Sequence, residues 1–166
     1  MATEDLLEEI YNWLGANFPN GPEWDDPKFH CFSGCHPIIR AVAAMDSVEG
    51  EISNGAWGQL LWNTFPNWRT VLELAGEGYS MMRAEAQVNA LSALTAKLAA
   101  HEIACAAAMA RAESGNFDAE FGAFTSQGYS DVGFKAQSIF LDGNLEEMRR
   151  NWLSENRAAV LHAIAA

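Results

Sequence analysis

Residues 48–65 read VEGEISNGAWGQLLWNTF, and the fold turns on how this stretch is read. Glu49 and Glu51 flank Gly50. Asn54-Gly55 is a turn pair, because both residues tolerate positive φ. Trp57, Leu60 and Leu61 then recur at i, i+3, i+4, which predicts one face of a helix over about 56–64. Gln59 and Asn63 stand four apart, so they share a helical face and can bond each other or a buried backbone group. Two readings follow. In one, the amides cap and orient this helix; in the other, they form a site with Glu51.

The order Glu51, Asn54-Gly55, Gln59, Asn63 spells E-x-x-N-G-x-x-x-Q-x-x-x-N. This pattern resembles the signature of a bacterial family of domains of unknown function. The family member with an assigned role is a DNA mimic, an acidic all-helical protein that occupies the DNA-binding surface of a transcription regulator. The resemblance runs from about residue 38 to 94. Where the pattern carries a second Gly after the Asn-Gly turn, this chain has Ala56, and Leu60 stands where it carries an aromatic. The resemblance implies an all-α fold and a protein partner. Within it, Glu51, Asn54, Gly55, Gln59 and Asn63 are assigned mainly to architecture.

Working outward, the 166-residue chain suits a single domain, 1–166, with a genuine core. It is 49% hydrophobic, too apolar for disorder despite a net charge of -12. That charge disfavours direct contact with nucleic acid or an anionic membrane and favours a basic partner. No basic region precedes an apolar run at the N-terminus, and no stretch of about 20 apolar residues spans a bilayer. Three cysteines, an odd number, point to a reducing cytoplasm, and the resemblance implies that of a bacterial cell or a phage-infected host.

The pattern predicts a first helix over residues 4–16, capped by Thr3, with Leu6, Leu7, Ile10, Trp13 and Leu14 inward. Residues 17–36, rich in Pro and Gly, read as a long loop anchored by Trp24, Phe29 and Phe32. Pro37 opens a second helix ending near Gly50. Pro66 stops the motif helix; Asn67 caps another over 68–75, ended by Gly76-Glu77-Gly78. Ser80 caps an Ala-rich stretch, 81–112, read as one long helix or as a pair broken near Leu91. Either is expected to be central, with apolar contact on more than one face. Residues 117–143 read as irregular, with phenylalanines tucked in through short helices. Asn144 caps a last helix reaching about residue 165. The fold class is therefore a compact all-α multi-helix bundle.

The acids are uneven. Glu4, Asp5, Glu8, Glu9, Glu23, Asp25, Asp26, Asp46, Glu49 and Glu51 are opposed up to residue 59 only by Lys28 and Arg40. Brought together, these acids make a partner-binding patch able to steer a basic groove; left apart, they are a solvated face. His30, Cys31, Cys35 and His36 form H-C-x3-C-H, a weak zinc pattern, because adjacent His-Cys pairs are hard to aim at one ion. No metal and no cofactor is expected. Neither G-x-S-x-G nor a phosphate-cradling loop occurs, so no enzyme is expected. Glu49 and Glu51 remain a carboxylate pair that glycosidic acid/base chemistry could use. The leading expectation is an inhibitor that mimics DNA and blocks a basic nucleic-acid-binding protein, either a transcription regulator or a phage-defence complex. In the second case it acts as an anti-defence protein of the anti-CRISPR type. The alternatives are an immunity protein or general interaction module, then an enzyme. No direct nucleic-acid or membrane contact is expected, and a homodimer is possible.

Overall fold

A computed structural model of the chain describes residues 5–26, 32 and 34–165. Among these residues the architecture is all-α, with no strand. The helices are α1 (Leu6–Asn17), α2 (Pro37–Thr64), α3 (Trp68–Met81), α4 (Glu85–Arg111), α5 (Phe117–Ser130), α6 (Leu145–Glu155) and α7 (Arg157–Ala165). A π-helical turn, Ala112–Asn116, joins α4 to α5, and a 3-10 segment, Lys135–Leu141, follows α5.

The centre of the bundle is α2. Its apolar positions Ile39, Val42, Met45, Val48, Leu60 and Leu61 are fully buried, and it packs against α3 and α5. Pro37 opens it as expected. The helix does not end at Gly50, because the buried stripe continues through Val48 and Ile52. The interruption comes at Gly55–Ala56, so the two expected helices are the two arms of one bent element. Ala56 carries the unusual backbone, φ 55 and ψ -160, a region that glycine occupies freely and alanine occupies under strain. It stands where the resembled pattern has its second glycine.

Other boundaries move for physical reasons. Asp5 caps α1, accepting from the Leu7 and Glu8 amides at 3.2 and 3.4 Å; Thr3 lies outside the described residues. Asn67 precedes α3 without a side-chain cap. Its amide donates instead to the carbonyls of Trp24 and Asp26, at 2.8 and 2.6 Å, tying the loop down. α3 runs straight through Gly76 and Gly78. A Cβ on Gly78 would sit 2.7 Å from Met45 Cε, so this glycine serves packing against α2 rather than helix termination. Ser80 belongs to α3, and α4 begins after Arg83, which takes φ 57.

The Ala-rich stretch is one unbroken helix, α4, buried along a single face by Gln87, Ala90, Leu94, Leu98, Cys105 and Ala108. Ile103 is 87% exposed, so the expected apolar contact on a second face is absent there. Phe117–Ser130 forms a regular helix, α5, rather than irregular chain. Beyond it, Asn156 breaks the last predicted helix into α6 and α7. Asn144 contributes no side-chain cap.

α5 meets the motif arm of α2 backbone to backbone. A Cβ on Gly58 would lie 2.8 Å from the Thr125 carbonyl oxygen, and one on Gly128 would lie 2.7 Å from the Gly58 nitrogen. The Trp57 indole donates to Asp131 Oδ2 at 3.2 Å, the same oxygen that accepts from Lys97 Nζ at 2.6 Å. The Lys97 hydrogen bond holds the Asp131 carboxyl below its ordinary value of 3.8.

Gly128→Ala should destabilise the fold by about 1–3 kcal/mol in urea unfolding, because the methyl meets backbone. Gly122→Ala, with open space around it, should be neutral or slightly stabilising. The depressed Asp131 carboxyl contributes stability above pH 3.8 that is lost as pH falls through its folded value. Asp131→Asn should therefore lower the melting temperature at pH 7, and the gap to the parent protein should close below pH 3.8.

Candidate functional site

Glu49 and Glu51 are two residues apart on α2, about 200° around the axis, so they face different sides. Glu49 turns inward. Its Oε1 accepts from Arg149 Nη2 at 2.6 Å and from the Tyr79 hydroxyl at 3.0 Å. Burial raises the Glu49 carboxyl and Arg149 opposes the rise. Arg149, 3% exposed, also donates to the Tyr11 hydroxyl at 3.3 Å, and Tyr11 donates to Asp46 Oδ1 at 3.1 Å. Burial, and then Asp46, push the Tyr11 phenol up to about 12. This network joins α1, α2, α3 and α6, and it commits the half-buried Glu49 to Arg149 and Tyr79.

Glu51 turns the other way. Its Oε2 accepts from both Gln59 Nε2, at 2.9 Å, and Asn63 Nδ2, at 2.8 Å. In a straight helix those residues would stand about 12 and 18 Å along the axis from Glu51. The bend at Gly55–Ala56 folds the second arm back and brings both amides to one oxygen. The side chain of Gln59 also lies against Gly55, where any Cβ would overlap it. The motif residues thus form a clamp across the bend, with Asn54 exposed beside it. Glu51 Oε1 has no partner among the described residues.

The acidic loop lies over the same arm. Trp24 is buried and its indole donates to Ser47 Oγ at 2.7 Å. Phe32 packs against Trp24 and Phe18, with ring centroids 5.2 and 5.0 Å apart. These are two of the three expected anchors; Phe29 lies outside the described residues. With Trp24 inward, Glu23 and Asp25 point to solvent on either side of it. They meet Glu51 at the edge of a cleft of about 600 Å³, which Asn63, Trp62, Met109, Glu113 and Phe117 also line. Among the described residues, no lysine or arginine lines this cleft.

The remaining predicted acids do not join it. Asp5 is ion-paired with Arg150, whose hydrogen bond lowers the Asp5 carboxyl. Glu8 and Glu9 are exposed on α1, and Asp46 is held by Tyr11. Asp26 is exposed beyond the cleft lining, and Glu4 lies outside the described residues. The expected patch of ten acids therefore resolves into a cleft cluster of Glu23, Asp25 and Glu51, with other acids paired or apart. Glu113 and Phe117 complete the cleft and were not legible beforehand. They reach it because the π-helical turn, with Gly115 at φ 112, swings the start of α5 back toward α2. Gly115-Asn116 was the only sequence signal of that turn.

Of the zinc pattern, His30 and Cys31 lie outside the described residues. His36 Nδ1 accepts the Ile38 amide at 3.3 Å as the cap of α2, and Cys35 is a half-buried thiol raised by burial. Among the described residues no three metal-ligating side chains converge.

Residues 33–156 match the family model of DMP19-like proteins. The chain belongs to the DMP19-like family. The match covers α2 to α6 and therefore reaches well past residue 94, where the resemblance in sequence fades. It takes in the Glu51 clamp, Glu113 and Phe117, while Glu23 and Asp25 lie before it. No curated protein and no solved structure matches the chain.

Glu51→Ala strands two amide donors at the bend and should cost about 1–3 kcal/mol in chemical unfolding. Asn63→Ala added to it should cost much less than Asn63→Ala alone, since both act on one hydrogen-bonded unit; additive losses would disprove the clamp.

Proposed function

We propose that this DMP19-like protein is an acidic inhibitor that mimics DNA and occupies the nucleic-acid-binding surface of a basic partner. The candidate partners are a transcription regulator and a phage-defence complex. The observation that carries the reading is the concentration of four carboxylates, Glu23, Asp25, Glu51 and Glu113, around one cleft that no described lysine or arginine lines, in a chain of net charge -12. A groove built for phosphates meets such a surface with favourable long-range steering, and salt screens it. Family membership supports the same role.

The reading needs no covalent chemistry. Glu49 is committed to Arg149 and Tyr79, and Glu51 to two amides, so the pair does not converge on one substrate position. No described helix is long and apolar enough to cross a membrane.

Proteins captured on the immobilised chain from a bacterial lysate should include a nucleic-acid-binding protein released by high salt and by duplex DNA. Capture that resists DNA competition supports an immunity or general interaction role instead. Reversing Glu23, Asp25 and Asp26 to lysine should weaken the DNA-competed complex by about tenfold or more without changing the melting temperature. An unchanged affinity would remove the loop from the interface.

A further inference from the structure

We infer that the cleft between the 20–26 loop, the second arm of α2 and the start of α5 receives an arginine side chain of the partner. This rests on the DNA-mimic reading and makes it specific: the seated arginine is one that would otherwise contact phosphate.

Three features of the cleft select that side chain. First, four carboxylates line it, with no lysine or arginine of the described residues among them. Among the described residues, Asp5, Glu49, Glu102, Glu120, Asp131 and Glu146 are ion-paired away from this cleft, while none of its four carboxylates pairs with a described lysine or arginine. Second, one wall is aromatic. Phe117 is 55% exposed and lies parallel to Phe121, with centroids 5.7 Å apart, while Trp62 meets both edge-on. An exposed ring beside carboxylates suits a cation that is both planar and weakly hydrated. Third, Glu51 is fixed before any partner arrives. Gln59 and Asn63 hold Oε2 and leave Oε1 without a partner. A carboxylate already immobilised loses little entropy on accepting a guanidinium. Lysine matches the charge but neither the planar stacking nor the forked donors. At about 600 Å³ the cleft holds one such side chain with water around it.

The test uses the full-length protein and three blocked tripeptides, acetyl-Gly-X-Gly-amide with X as arginine, lysine or citrulline, followed by ¹H–¹⁵N NMR. The arginine peptide should shift the Asn63 side-chain amide and the backbone signals of Glu113 and Phe117. It should bind about two- to fivefold more tightly than the lysine peptide. The citrulline peptide, neutral but of the same shape, should not bind. Phe117→Ala should erase the preference for arginine over lysine, Glu113→Gln should weaken both, and Glu8→Gln with Glu9→Gln should change neither. Equal affinity for arginine and lysine, or shifts spread over α1 as strongly as over the cleft, overturns the arginine site. If the peptide preference fails while a captured basic protein is still released by DNA, the cleft assignment falls and the mimic reading stands. If the arginine preference holds but no captured protein is released by DNA, the mimic reading falls, and with it the assignment of this arginine to a phosphate contact.

Discussion

The bend in α2 is the constraint from which the rest follows. A helix of this length is ordinarily straight or gently curved, and sharp bends need a local cause. Here the cause is double. Gly55 and Ala56 leave helical geometry, and Glu51 binds Gln59 and Asn63 across the gap. The strained alanine persists because the surroundings over-determine it, with the clamp on one side and the Gly58–Gly128 contact on the other. A straight α2 would carry Trp62 and Asn63 far from Glu51, and no cleft would exist between loop, arm and α5.

Much of this was legible. The periodicity of Trp57, Leu60 and Leu61 identified the motif arm, Pro37 and Pro66 marked the ends of α2, and Trp24 was recognisable as an anchor. The misreadings share a reason. Glycines at Gly50, Gly76 and Gly78 look like terminators in one dimension, but all three lie inside helices, with Gly76 and Gly78 giving room to Leu91 and Met45. Asn67, Ser80 and Asn144 look like caps, yet two lack the capping bond and Ser80 lies within a helix. For the site, the pattern located Glu51 and its amides but could not choose between architecture and function. The geometry shows the architectural part: one oxygen holds the bend, and the other has no partner among the described residues. Glu113 and Phe117 depended on a π-helical turn, which has no periodic signature.

The acids separate by environment rather than by position in the chain. Glu49 and Glu51 are near neighbours, yet one is half-buried against an arginine and the other borders an open cleft. Counting charges along the first third of the chain therefore groups acids that the structure sets apart. Asp5 serves a helix end and Arg150, Asp46 serves Tyr11, and an acid from beyond α4 joins the loop pair instead.

The Glu49–Arg149 pair has a consequence for how the molecule comes apart. It spans 100 positions, and the Tyr11–Arg149 bond spans 138, so both termini converge on one buried cation. A chain cut before α6 would leave the half-buried Glu49 without its compensating charge, which costs stability. The two ends and the middle thus gain their stability jointly, and the molecule should melt as one cooperative body with no half-built state of appreciable lifetime.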